Sequence, residues 1–114
     1  EILTQYPNIT GIFATSSDAV LMALEAADAM GDADTGAEAP VIMGYDAEEE
    51  EVSALEDGRI SGLIVQNPYG MGYATIVAAA RAALAQGNEA VVNTGYLWVD
   101  AENMDSDEAQ RLLY

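Results

Sequence analysis

The sequence predicts an α/β fold, a parallel sheet with flanking helices. Three observations carry that expectation. Short apolar runs alternate along the chain with longer segments whose apolar residues recur at helical spacing. Runs such as VIMG and LIV are continuously apolar, as strands covered on both faces read. The intervening segments have the length of crossover helices, which join neighbouring strands in parallel.

Residues 1–6 read as the tail of a helix that stops before Pro7, because the residue ahead of a proline is steered away from the α region. Residues 9–14 (ITGIFA) form a first strand. A helix over 16–30 follows, with Val20, Leu24 and Ala27 on one face and Gly31 at its C′ position. Residues 32–39 are a polar loop, and Pro40 leads into a second strand, Val41–Tyr45. The next helix is expected over 46–57, where Asp46 and Glu49 have capping-box spacing and Gly58 ends it. Residues 60–65 (ISGLIV) are a third strand. Asn67 as N-cap and Pro68 at N1 then open a helix over 69–86 that Gly87 ends. Val91-Val92 and Tyr96–Val99 read as short strands, and 105–113 as a short final helix.

Composition removes whole chemistries. The 114 residues include 20 acids against three bases, Arg59, Arg81 and Arg111, with a net charge of −17 and neither Cys nor His. No thiol nucleophile, disulfide, zinc finger or Ser-His-Asp triad can be built from them. Lysine is missing too, which excludes a Schiff base and a P-loop. So negative a field repels phosphate backbones, excluding nucleic acid as a partner. The apolar share of 51% still suffices for a core, and the length suits one domain of roughly 100–150 residues.

Ligands of open parallel sheets bind beyond the carboxyl ends of the strands. That rule selects three junctions: Thr15-Ser16-Ser17, Tyr45-Asp46 and Gln66-Asn67. Hydroxyls, a carboxylate, an amide and an aromatic ring can hydrogen-bond and stack on a neutral polyol, but they offer no base near neutral pH other than a carboxylate. Each residue has a plainer reading. Asp46 and Ser16 could simply cap helices, and Tyr45 could be a core ring. Gln66, a polar amide ending an apolar strand beside a separate cap, needs a partner.

Other motifs carry less. Asp32-x-Asp34-x-Gly36 resembles a calcium loop but has Met43 in place of the twelfth-position Glu. Gly70-Met71-Gly72 lacks the third glycine of a dinucleotide fingerprint and reads as room for helix packing. The acidic run 48–51 reads as solvated surface at a helix start. No cofactor or metal is expected.

The passages IFATSSDAVLMALEAADAMG, VIMGYDAEEEEVSALEDGRISGLIVQNPYGMGYATIVAAARAAL and NTGYLWVDAENMD resemble the C-terminal part of sugar-binding proteins of bacterial ABC transporters. These are type I periplasmic binding proteins, similar to ribose-binding protein. The resemblance implies a Rossmann-like lobe, incomplete here, and a protein whose two lobes close on a sugar without chemistry. It implies that Asp46 of GYD and Gln66 of VQNP are sugar ligands, that Tyr45 stands where many members have Phe, and that Ser16 stands where many have Asn. It further implies that residues 1–66 belong to the C-terminal lobe, while 67–114 hold a hinge, a helix that packs on the other lobe and a crossover segment. The expected partners are a monosaccharide, a membrane permease and the missing N-terminal lobe, outside the cytoplasm. Exposed apolar surface left by a missing lobe implies a homo-oligomer. The effector-binding domain of a LacI-type regulator is the alternative. No G-x-S-x-G elbow supports a hydrolase.

Overall fold

Nine elements follow one another in a computed structural model that describes residues 2–6, 8–31 and 39–113. They are α1 (Ile2–Gln5), β1 (Gly11–Phe13), α2 (Ser17–Gly31), β2 (Val41–Tyr45), α3 (Glu49–Glu56), β3 (Gly62–Gln66), α4 (Pro68–Ala83), β4 (Tyr96–Val99) and α5 (Asp107–Gln110). The candidate calcium loop lies outside the described residues.

The sheet order is β1-β2-β3-β4. β1, β2 and β3 are parallel, as expected, with Gly11 opposite Val41 and Met43 opposite Gly62. β4 instead runs antiparallel to β3, pairing Gln66 with Tyr96 and Leu63 with Val99. Its direction follows from where the chain returns. The Asn67 side chain donates to the Thr94 carbonyl at 3.1 Å, so the segment after α4 re-enters beside the end of β3 and must run back along it.

Alternation along the strands divides the sheet into two unlike faces. Ile42, Leu63, Val65 and Val99 are buried on one, beneath Val20, Ala23 and Leu24 of α2, Ala54 and Leu55 of α3, and Ala109 of α5. Phe13, Val41 and Trp98 lie exposed on the other. The continuous apolar strands predicted two covered faces, and among the described residues only one is covered.

α4 follows the same pattern. None of its residues is buried, and Tyr69, Tyr73 and Ile76 are largely exposed. The Cα radius of gyration is 18.3 Å, against about 13 Å for a compact chain of this size. α4 ends at Ala83, short of the predicted 86, and Ala85 takes a left-handed φ of 53° just beyond it. Val91 and Val92 are exposed and form no strand. The final helix contracts to Asp107–Gln110, capped by the Ser106 hydroxyl, which accepts from the Ala109 amide at 3.2 Å.

Candidate functional site

The carboxyl ends of the three parallel strands hold all four residues singled out by the sequence. Gln66 closes β3, and its amide Nε2 donates to Asp46 Oδ1 at 2.9 Å. The glutamine therefore has the partner it needed. Asp46 follows β2 with a φ of 82°, a left-handed conformation that costs a non-glycine residue roughly 1–2 kcal/mol. Its amide donates to the Ile64 carbonyl at 3.0 Å, holding the turn against β3.

Asp46 does not cap α3, contrary to the plainer reading. The helix starts later, and its capping box joins Glu48 with Glu51, whose side chain accepts from the Glu48 amide at 3.0 Å. A run of four glutamates offers several registers with box spacing, and the left-handed turn at Asp46 excludes the first. The Asp46 carboxylate is thereby left half-buried and directed to Gln66.

Tyr45 is half-buried, on the same sheet face as Gln66, where it faces Ile64. Ser16 lies at the start of α2, exposed, and its hydroxyl accepts from the Ala19 amide at 3.4 Å, a weak N-cap bond. Among the described hydrogen bonds Ser16 makes none with Asp46 or Gln66. The third junction is built by Asn67, which accepts from the Gly70 amide at 2.8 Å while donating to Thr94. Gly70 is required there: a Cβ would fall 2.6 Å from Asn67 Nδ2. Gly70 thereby admits the cap.

Sequence reasoning missed Glu51. Assigned with its neighbours to solvated surface, it is fully buried. Its Oε2 accepts from the Ser17 hydroxyl and from the Glu48 amide, each at 3.0 Å, and Oε1 has no hydrogen-bond partner among the described residues. Burial pushes the carboxyl above its ordinary value, the bonds from Glu48 and Ser17 oppose that, and the charges of Asp46 and Glu48 add to it. No local signal in the sequence marks it: the carboxyl lies beside Gly44, a point crowded by the fold, where a Cβ would fall 2.7 Å from Val20 and 2.8 Å from Leu63.

No group of His, Cys, Asp or Glu able to hold a metal occurs among the described residues. The arrangement is a hydrogen-bonding surface: one carboxylate, one amide, one hydroxyl and a half-buried tyrosine around the strand ends.

A family model described as a periplasmic binding protein domain matches residues 1–89. None of the curated proteins matches the chain. Among solved structures, an ABC transporter solute binding protein from Agrobacterium vitis with bound D-fucose superposes with a TM-score of 0.82 at 24% identity, over 99% of this chain and 38% of that one. A carbohydrate transporter solute binding protein from Agrobacterium radiobacter, in complex with D-arabinose, is 30% identical with a TM-score of 0.77, over 99% and 37%. A protein from Brachyspira murdochii described as an ABC transporter, LacI family transcriptional regulator, is 26% identical with a TM-score of 0.77, over 92% and 35%. The chain thus spans well under half the length of each.

Proposed function

The chain belongs to the periplasmic binding protein domain family, and from that premise we propose that it supplies one side of a cleft that closes on a monosaccharide for uptake by an ABC transporter. The observation that carries this reading is the Asp46–Gln66 pair. Two polar side chains from adjacent strand ends meet at 2.9 Å, one of them on a strained backbone. Strain of this kind persists where surrounding structure holds a side chain in place for use. A carboxylate accepting from sugar hydroxyls, an amide beside it and the Tyr45 ring suit a neutral polyol. Ser16, on the adjoining turn, adds a hydroxyl.

Residues 1–66 form part of one lobe in this reading. From Asn67 onward the chain crosses a hinge, contributes α4 to the second lobe and returns as β4. An α4 without a buried residue and a sheet bare on one face support that division, since both are surfaces that further sequence would cover. The ligand favours the closed state through contacts made only there, and a membrane permease outside the cytoplasm recognises it.

Calorimetric titration of the full-length polypeptide with D-fucose and D-arabinose tests the reading. Binding is expected, and Asp46→Ala should weaken it by about 1.5–3 kcal/mol, as for a hydrogen bond to a charged group. Unchanged affinity removes Asp46 from the site, and failure of the unaltered protein to bind either sugar defeats the sugar reading. The regulator alternative is favoured by the description of the Brachyspira relative. A basic helix-turn-helix encoded upstream would select it.

A further inference from the structure

We infer, on the sugar-binding reading above, that Glu51 is a positioning residue: from inside the core its carboxylate holds the turn that carries Ser16 and the turn that carries Asp46 in fixed relation. One oxygen makes both connections. Glu51 Oε2 accepts from Ser17, the residue next to Ser16 and the first of α2, and from the amide of Glu48, two residues beyond Asp46. Each bond is 3.0 Å long.

Helix capping alone does not call for this arrangement. A capping-box glutamate reaches back to its own N-cap amide, which an exposed side chain does equally well. Glu51 does so while fully buried, with Oε1 facing the backbone at Gly44, where a Cβ would lie 3.8 Å away. Burying a carboxyl with one oxygen unpaired is costly. What that position adds is the reach to Ser17, 34 residues away in sequence, on a different helix. Without it the two turns are joined by the pairing of β1 with β2, which ends where the Ala14 amide donates to the Met43 carbonyl at 2.9 Å, and by the packing of α2 and α3, with no side-chain bond between them. Polar ligand groups on separate turns must hold their spacing closely, since displacements of about 1 Å forfeit much of an oriented interaction.

Three variants of the full-length polypeptide separate the roles. Glu51→Gln retains an oxygen that can accept both bonds, Glu51→Ala removes both, and Ser17→Ala removes only the link between turns. Titration with D-fucose and D-arabinose should place Glu51→Gln within about twofold of the unaltered affinity. Glu51→Ala and Ser17→Ala should be weaker by about tenfold or more, with Ser17→Ala retaining its melting temperature within a few degrees. Ser17→Ala with unaltered affinity overturns the inference, and it carries the test alone if Glu51→Ala does not fold. Amide exchange reads the link without ligand. In Ser17→Ala the amides of residues 46–48 should exchange faster, although the substitution lies on another helix. If the unaltered protein binds neither sugar, the sugar reading falls. Exchange then decides the positioning role, and equal rates at 46–48 in Ser17→Ala and the unaltered protein refute it.

Discussion

Replacing Gly62 by alanine should unseat the chain's single tryptophan. Trp98 lies on β4, directly opposite Ile64, and its ring extends diagonally over Gly62. A Cβ at position 62 would fall 2.2 Å from Cζ2, 2.5 Å from Cη2 and 2.8 Å from Cε2 of that ring. Ordinary contact begins near 3.4 Å, so the ring must retreat by at least about 1 Å. It is not free to do so, because Nε1 donates to Asp100 Oδ2 at 2.8 Å and the Trp98 carbonyl accepts from Asn103 Nδ2 at 2.9 Å. Overpacking costs about 1–3 kcal/mol, and loss of the partly exposed Trp98–Asp100 bond about 0.5–1.5 kcal/mol. Gly62→Ala should therefore destabilise the chain by about 1.5–4.5 kcal/mol. Urea unfolding followed by tryptophan emission measures this, with a lower midpoint and a red-shifted native spectrum expected. In a Trp98→Ala background, followed by circular dichroism, the same glycine substitution should cost under about 1 kcal/mol, since the clash has gone. An unchanged midpoint together with an unchanged native spectrum in Gly62→Ala would refute the reasoning.

Three further outcomes are expected. Glu51 titrates higher in the folded chain than its ordinary 4.5, so the folded state keeps its proton longer and stability declines as pH rises from the ordinary glutamate range through the folded value. Glu51→Gln should match the unaltered chain below that range and exceed it in melting temperature above; a gap that is constant with pH would count against buried ionisation. Ala85→Gly should raise stability by about 1 kcal/mol, because glycine adopts the left-handed φ of 53° without penalty; a lower melting temperature contradicts it. The isolated 114-residue chain should self-associate in light scattering through the bare sheet face and α4, and Phe13→Asp with Ile76→Asp should shift it toward monomer. A chain monomeric at high concentration before any substitution would show that these surfaces need no cover.

Elements set by local chemistry were legible in the sequence. β2 occupies Val41–Tyr45 as expected, and Asn67 caps α4 with Pro68 at N1, because an apolar run after a proline and an Asn-Pro pair act over a few residues. Asp46 shows where such reasoning stops. Its spacing to Glu49 satisfies a capping box, but strand ends set the backbone angles of that turn, and those follow from the pairing of β2 with β3. Glu51 is the sharper case. Nothing local separates it from Glu49 or Glu50, and its burial depends on Ser17, Val20 and Gly44, which the fold brings together from distant positions. Val91-Val92 failed for the converse reason: β-branched residues favour strands only where a neighbour offers an edge to pair with. The bare sheet face reads as covered in the sequence because Phe13, Val41 and Trp98 are apolar, and apolar composition does not say which face the neighbouring helices take.

The strand order has a consequence for how the chain assembles during synthesis. Each strand lies beside the one made immediately before it, and paired residues sit between 19 and 36 positions apart, from Met43 with Gly62 to Leu63 with Val99. The sheet can therefore lengthen at a single advancing edge as the polypeptide emerges, every new strand finding its template already folded, with only a short loop to close each time. Among the described strands β4 comes last, after α4, and it alone reverses direction. Loss of β4 would leave the three parallel strands paired as they are, whereas loss of β1 would strip β2 of its neighbour on that side.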